Sequence, residues 1–359
     1  MEQDLATALP LDGNHLVSGP PGTGKSVVAL YRAQTLWFDD RTPTVLMFNR
    51  LLKQYTDGAA GELGAEVTIS TFHAWFHAFW QRHYRTSPPR PAGSSDSWEY
   101  DWQAIWSKVV SSPPPQGELP DLIVDEGQDL PPDFFKLAKW IARNITVFAD
   151  ENQKLTENQS TLEEIARAIV AESRTNLTRN YRNTAEIARV AAHFYCGGPT
   201  GMPAPPTRSG IVPTATAFGR LNDLVEHLAG YARVHADKSI GVFCASKADQ
   251  IRLVNRLNAR DLPVTVEAYV SGDLRYAGID FDKPGIKIIN LRSVKGLEFD
   301  TVFIPLLETL SGDPTSASLR MLMYVATSRA RDELHLSWCG GGEAPAIIAG
   351  IPLAALDRR

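Results

Sequence analysis

Cysteine is scarce in this chain of 359 residues, with only Cys196, Cys244 and Cys339. They lie far apart, are odd in number and show no Cys-x-x-Cys spacing, so neither a disulfide framework nor a zinc site is written in the sequence. Reduced, partly buried thiols are the expectation. Long apolar runs are also missing. No segment approaches the roughly 20 apolar residues that a bilayer span requires, and Met1-Glu2-Gln3-Asp4 carries no basic stretch ahead of an apolar one. A soluble cytoplasmic protein without a membrane partner is expected. Positive charge is not in excess: 36 Lys and Arg stand against 41 Asp and Glu, a net charge of −5. That balance excludes coating of nucleic acid through global charge and leaves only a local groove for such a partner. Internal repeats at the usual periods are absent, which excludes a solenoid.

What is present is an ordinary globular balance, 43% hydrophobic and 21% charged, in a chain long enough for two α/β domains. From Leu16 onward, short β-branched runs alternate with amphipathic stretches, the pattern of parallel sheets covered by helices. The first half offers strands at Leu16–Ser18, Val45–Phe48, Val67–Ser70, Leu122–Asp125 and Ile145–Phe148. The second offers Ile240–Phe243, Ile286–Ile289, Thr301–Ile304 and Leu334–Leu336. Two proline-rich stretches, Ser87–Pro91 and Pro113–Pro115, bracket a Trp-rich segment from Trp98 to Val110 that reads as a short helical insertion. A third break, Cys196 to Pro206, reads as a loop of the second lobe.

The strongest local signal is Gly19-Pro20-Pro21-Gly22-Thr23-Gly24-Lys25-Ser26, placed after an apolar strand and before Val27-Val28-Ala29-Leu30. Glycines there let successive backbone N–H groups face phosphate oxygens at a helix N-terminus. Lys25 would neutralise β and γ phosphates, and the Ser26 hydroxyl would ligate Mg²⁺, so ATP and Mg²⁺ are the implied substrate and ion. Further on, Leu122-Ile123-Val124-Asp125-Glu126-Gly127-Gln128-Asp129 puts two carboxylates at the end of a buried strand. Asp125 would hold the Mg²⁺ through water, and Glu126 would accept a proton from the attacking water.

Asp-Glu-x-Gln-Asp, taken with the segments that follow, resembles the UvrD/Rep group of superfamily 1 helicases over nearly the whole chain. Phe148-Ala149-Asp150-Glu151-Asn152-Gln153 resembles that family's third motif, which implies that Gln153 reads the γ-phosphate. Leu177-Thr178-Arg179-Asn180-Tyr181-Arg182 resembles the fourth, implying adenine stacking by Tyr181 and γ-phosphate contact by Arg182. Ser293-Val294-Lys295-Gly296-Leu297-Glu298-Phe299-Asp300 is similar to the fifth, in which Glu298 would contact the ribose. Tyr324-Val325-Ala326-Thr327-Ser328-Arg329-Ala330-Arg331 resembles the sixth, with Arg329 as a second arginine finger. Gln3, 22 positions before Lys25, stands near where the family has a glutamine that hydrogen-bonds adenine.

The fold implied is α/β, two RecA-like lobes with parallel sheets flanked by helices: residues 1–173, with a small insertion at about 80–117, and residues 174–359. The implied activity is an ATP-dependent translocase or helicase on single-stranded nucleic acid, DNA rather than RNA, moving 3′ to 5′. Asn49 and Arg50, beside Phe48, and Thr71, Phe72 and His73 resemble the family's strand-contacting residues at the ends of first-lobe strands. His73 and His77 stand at i, i+4, but position 74 is Ala74 and no third ligand follows, so a zinc reading is rejected.

The sequence also departs from the family. Only 100 positions separate Lys25 from Asp125 and 108 separate Arg182 from Asn290, so the second large insertion of unwinding members is missing. Lys154-Leu155-Thr156-Glu157-Asn158 replaces the family's Tyr-x-Trp-Arg-Gly run, and Arg292 stands where histidine is frequent. ATP hydrolysis is thereby better supported than processive unwinding. The other reading is an ATP-controlled regulatory subunit of a nuclease or other partner protein. A small-molecule kinase with the same phosphate loop would have no use for Arg182 and Arg329.

Overall fold

The computed structural model describes residues 2–48, 50–61, 65–93, 99–150, 160–198 and 200–359. Among these, both sheets are built from parallel pairs alone, as expected where crossover helices link successive strands. The chain divides into two units, Met1–Pro20 with Gly24–Thr178, and Pro21–Thr23 with Arg179–Arg359.

The first unit has the sheet order β3-β2-β4-β5-β1-β6. Its strands are β1 (Asn14–Ser18), β2 (Pro43–Met47), β3 (Thr68–Thr71), β4 (Asp121–Val124), β5 (Asn144–Ala149) and β6 (Ser173–Asn176). Its helices are α1 (Glu2–Thr7), α2 (Lys25–Phe38), α3 (Arg50–Gly61), α4 (Phe72–Tyr84), α5 (Trp102–Ser111), α6 (Pro132–Ile141) and α7 (Leu162–Ile169). Successive strand residues point to opposite faces, and the two cores follow that alternation. Leu16, Leu46, Leu122, Val124, Ile145 and Val147 pack with α4 to α7. Val17, Val45, Met47, Ile123 and Phe148 pack with α1 and α2. Burial on both faces explains why these strands read as continuous apolar runs.

The stretch read as an insertion starting at residue 80 begins inside α4. Trp80 is fully buried with Phe76, Tyr100, Ile105 and Val109 in the same core as β4 and β5. The bracketed helix starts at Trp102, where Asp101 caps it by accepting the Ala104 N–H at 3.0 Å.

The second unit has the order β13-β7-β12-β11-β8-β10-β9. Its strands are β7 (Thr214–Phe218), β8 (Ser239–Cys244), β9 (Thr265–Tyr269), β10 (Gly285–Asn290), β11 (Phe299–Ile304), β12 (Ala330–Cys339) and β13 (Asp357–Arg358). Its helices are α8 (Ala185–Phe194), α9 (Leu221–Val234), α10 (Lys247–Asn258), α11 (Ala317–Thr327) and α12 (Ala346–Ala349). Ile240, Val242, Ile286, Ile288 and Phe303 pack with α9 and α10, while α8 packs on α11. Two parallel sheets flanked by helices are the RecA-like lobe architecture. Among the described residues no helix is long and apolar enough to cross a membrane.

A polar ladder closes the amino-terminal end of the second sheet. Lys238 Nζ donates to Glu333 at 2.6 Å, and the His335 ring lies 3.3 Å from Glu333 and 2.8 Å from the Thr214 hydroxyl. The hydrogen bond from His335, with Lys238 adding to it, lowers the Glu333 pKa to about 2 against the opposing effect of burial. A depressed carboxylate pKa contributes stability that is present above the unfolded pKa and lost as pH falls through the folded one. Glu333→Gln is therefore expected to lower stability at pH 7 by roughly 1–2 kcal/mol after allowance for solvent screening. The difference should shrink between about pH 4.5 and pH 2, and chemical denaturation across that range reads it. A pH-independent difference would remove the ionic origin.

Candidate active site

In the first sheet β4, β5 and β1 are neighbours, so the segments leaving their carboxyl ends are brought together. Lys25 opens α2 and is buried. Its Nζ donates to the Gly19 carbonyl at 2.6 Å and the Pro20 carbonyl at 3.2 Å, and lies 3.9 Å from Asp150 at the end of β5. Ser26 Oγ donates to Asp125 Oδ2 at 2.6 Å. Burial, and then the neighbouring charge of Glu126, push the Asp125 pKa up to about 6 although Ser26 and Lys25 pull it down. Paired hydroxyl and carboxylate oxygens fit Mg²⁺, a hard cation that takes few protein oxygens and completes its shell with phosphate and water.

Glu126 adopts φ 53°, a left-handed conformation rare for a residue with a side chain. Its carboxylate accepts from Gln128 Nε2 at 2.6 Å, and the Gln128 Oε1 accepts the Asp150 N–H at 2.9 Å. Gln128 therefore ties the acidic turn after β4 to the end of β5, a role that its place in Asp-Glu-x-Gln-Asp signalled without specifying. Gly127 makes the close approach possible, since a Cβ there would stand 2.3 Å from Val147 Cγ1 in β5. Gly127→Ala is expected to destabilise the fold by about 1–3 kcal/mol through overpacking and to shift Glu126. Denaturant unfolding measured beside catalysed ATP turnover checks this, and an alanine variant with unchanged stability would contradict it.

Gln3 belongs to the same neighbourhood. Gly24 has φ 85°, and a Cβ on it would stand 2.3 Å from Gln3 Nε2. α1 is seated by Ala6 in the core beside Val28, Ala29 and Ala33. Arg32, fully buried in α2, holds the following turn by donating to Leu9 O at 2.6 Å, to Pro10 O and to Leu11 O at 3.3 Å. His15 adds contacts at 3.0 Å to Pro10 O and Asp12 O. These clamps had no sequence signal, because a buried arginine on a helix looks like any solvated one.

In the second unit, Pro21–Thr23 rest on the segment after β6. The Tyr181 N–H donates to Gly22 O at 2.9 Å, and a Cβ on Gly22 would stand 2.4 Å from Asn180 Oδ1. Thr23 is buried, and Tyr181 is 47% exposed, leaving its ring a free face. Arg182, nearly buried, donates to Ser328 O at 3.3 Å and forms an ion pair with Glu298. Burial raises the Glu298 pKa, but the Arg182 and Arg329 guanidinium charges outweigh it and hold the carboxyl below its ordinary value. Arg329 is buried and donates Nε to Val325 O at 3.0 Å. The fourth, fifth and sixth motif segments thus converge within one unit, and Asn183, bonded to Ser328 O at 3.1 Å and to Ala330 O at 2.5 Å, ties the fourth to the sixth.

The strand-contacting set needs a correction. Phe72 is 1% exposed and packs against Phe76, Tyr100 and Phe134, so it is a core residue with no face for a base. Thr71 caps α4, accepting the Ala74 N–H at 3.4 Å. His73 is partly exposed, stacks on Tyr100 and lies with its ring 6.4 Å from that of Phe48, which is 43% exposed at the end of β2. Phe48, not Phe72, is the available aromatic. Arg50 starts α3, but its side chain, Asn49 and Gln153 lie outside the described residues.

Residues 274–341 match the model of the UvrD-like helicase C-terminal domain, a span that contains Glu298 and Arg329. Among solved structures, the C-terminal domain of a possible DNA helicase from Lactobacillus plantarum WCFS1 aligns with a TM-score of 0.38 and 21% identity, covering 50% of this chain and 98% of that one. No curated protein matches the chain.

Proposed function

We propose, on the premise that this chain belongs to the UvrD-like helicases, that it hydrolyses ATP to move along single-stranded DNA in the 3′ to 5′ direction in the cytoplasm. The observation that carries this reading is the gathering of Lys25, Ser26, Asp125 and Glu126 where neighbouring parallel strands end. Backbone N–H groups of the Gly19–Gly24 loop and the Lys25 ammonium bind the phosphates. Ser26 and Asp125 are the residues that would hold Mg²⁺, which when bound neutralises phosphate charge. Glu126, fixed by Gln128, takes the proton from the attacking water. Gln153 reports the γ-phosphate, and Arg182 and Arg329 stabilise charge on the transferring phosphoryl group. Gln3 and Tyr181 recognise adenine and Glu298 the ribose. Phe48, Asn49, Arg50, Thr71 and His73 form the strand-contacting surface, in which stacking and phosphate hydrogen bonds give binding without sequence preference.

Steady-state ATPase measurement with and without single-stranded DNA tests the reading. Turnover is expected to rise at least tenfold with DNA long enough to fill the track. Unstimulated turnover at every strand length would overturn the translocase, and a copurifying nuclease whose activity follows ATP would support the regulatory-subunit reading instead.

A further inference from the structure

A cavity of about 340 Å³ lies within the second unit, lined at one edge by Pro21 of the Gly19–Ser26 loop and by Asn180 and Ser328. Its walls are small or apolar, with Ala188 and Ala192 of α8 facing Met202, Pro203, Pro206 and Tyr324. Proline-rich chain between α8 and β7 forms one side through Pro203, Pro205 and Pro206. The volume suits a compact bicyclic molecule.

The polar groups at its edge are of two kinds. The Asn180 amide donates to Asn183 at 2.8 Å, and Asn183 donates to Ser328 O and Ala330 O, so these groups are engaged by protein. Arg189 also lines the cavity, is exposed and has no ion pair or hydrogen bond among the described residues. An apolar bowl bordered by one unengaged guanidinium is complementary to an apolar body carrying an acid group. We propose that this cavity is a binding site for a small apolar monoanion, such as an aromatic carboxylate or sulfonate.

The site touches the catalytic segments through shared residues. Asn180 also abuts Gly22, and the Ser328 carbonyl accepts from Arg182. An occupant pressed against Asn180 and Ser328 therefore acts on the residues that place Gly22 and Arg182, and binding here is coupled to ATP turnover.

The probe is 8-anilino-1-naphthalenesulfonate, titrated by fluorescence into the full chain and into the Ala188→Leu and Arg189→Gln variants, with thermal melts confirming their fold. One saturable site is expected in the unaltered protein, abolished by Ala188→Leu and weakened about tenfold by Arg189→Gln. Should the leucine variant fail to fold, Arg189→Gln still decides, because an exposed, unpaired side chain has no structural partner to lose. Equal affinity in all three proteins, or binding that does not saturate, overturns the site. ATP turnover is expected to fall on saturation in the unaltered protein alone; saturation without that fall overturns the coupling. Absence of any ATP turnover would strike at the ATPase reading and leave the probe affinities to judge the cavity.

Discussion

Lys25→Ala is expected to lower ATP turnover by about 10³-fold or more, the scale on which removal of a fixed charge from a phosphoryl-transfer site acts. Lys25 is buried among groups of opposite polarity, with two loop carbonyls and Asp150 around its ammonium. Alanine leaves Asp150, Asp125 and Glu126 without that cation, so a triphosphate with its own negative charge meets a carboxylate cluster. Nucleotide affinity should fall together with turnover, because the ammonium holds the phosphates in the ground state and counters more charge as it develops in the transition state. Phosphate release and fluorescent-nucleotide binding, measured on protein whose melt shows it folded, read both effects. Turnover within tenfold of the unaltered chain would remove Lys25 from the site.

Glu126→Gln should separate binding from chemistry. The substitution keeps shape and an acceptor for Gln128 Nε2, while it removes the group able to take a proton from water. A general base contributes about 10²–10⁴-fold, so hydrolysis should drop by that factor while ATP affinity stays within a few-fold. Glu126 is suited to this role by its backbone. The positive φ aims a buried carboxylate that a helical or extended residue would point elsewhere, and such strain is maintained only where neighbours over-determine it. Gln128 and the tight Gly127 contact with β5 supply that constraint. A glutamine variant that hydrolyses ATP at a comparable rate would mean that another group is the base.

Legibility of the fold varied with the kind of strand. Central strands such as β2, β4 and β8 are buried on both faces and announce themselves as apolar runs. β6, Ser173-Arg174-Thr175-Asn176, carries no apolar signal because it is a polar edge strand, made a strand by its pairing with β1. β7 and β9 were hidden for a related reason: Thr-Ala-Thr-Ala-Phe and Thr-Val-Glu-Ala-Tyr carry too little apolar content to stand out from their surroundings. In the aromatic run from Phe72 to Trp80, composition could not tell which rings face the core. Packing of α4 against α6 and Tyr100 decided it, burying Phe72 and leaving Phe48 exposed.

Sequence by itself determined the Gly-x-x-x-x-Gly-Lys-Ser turn before α2, the acidic pair after β4 and the alternating α/β pattern, because each is written in a few consecutive residues whose backbone geometry and chemistry are local. Tertiary structure alone decided that positions 25, 125 and 150 meet, since strand order sets which carboxyl ends are neighbours and crossover connections place it beyond any local signal. It also decided the engagement of Glu126 by Gln128, the clamping of the Gln3 segment by Arg32 and the cavity beside α8. Each depends on side chains distant in sequence being held by a common core, and no single segment specifies that.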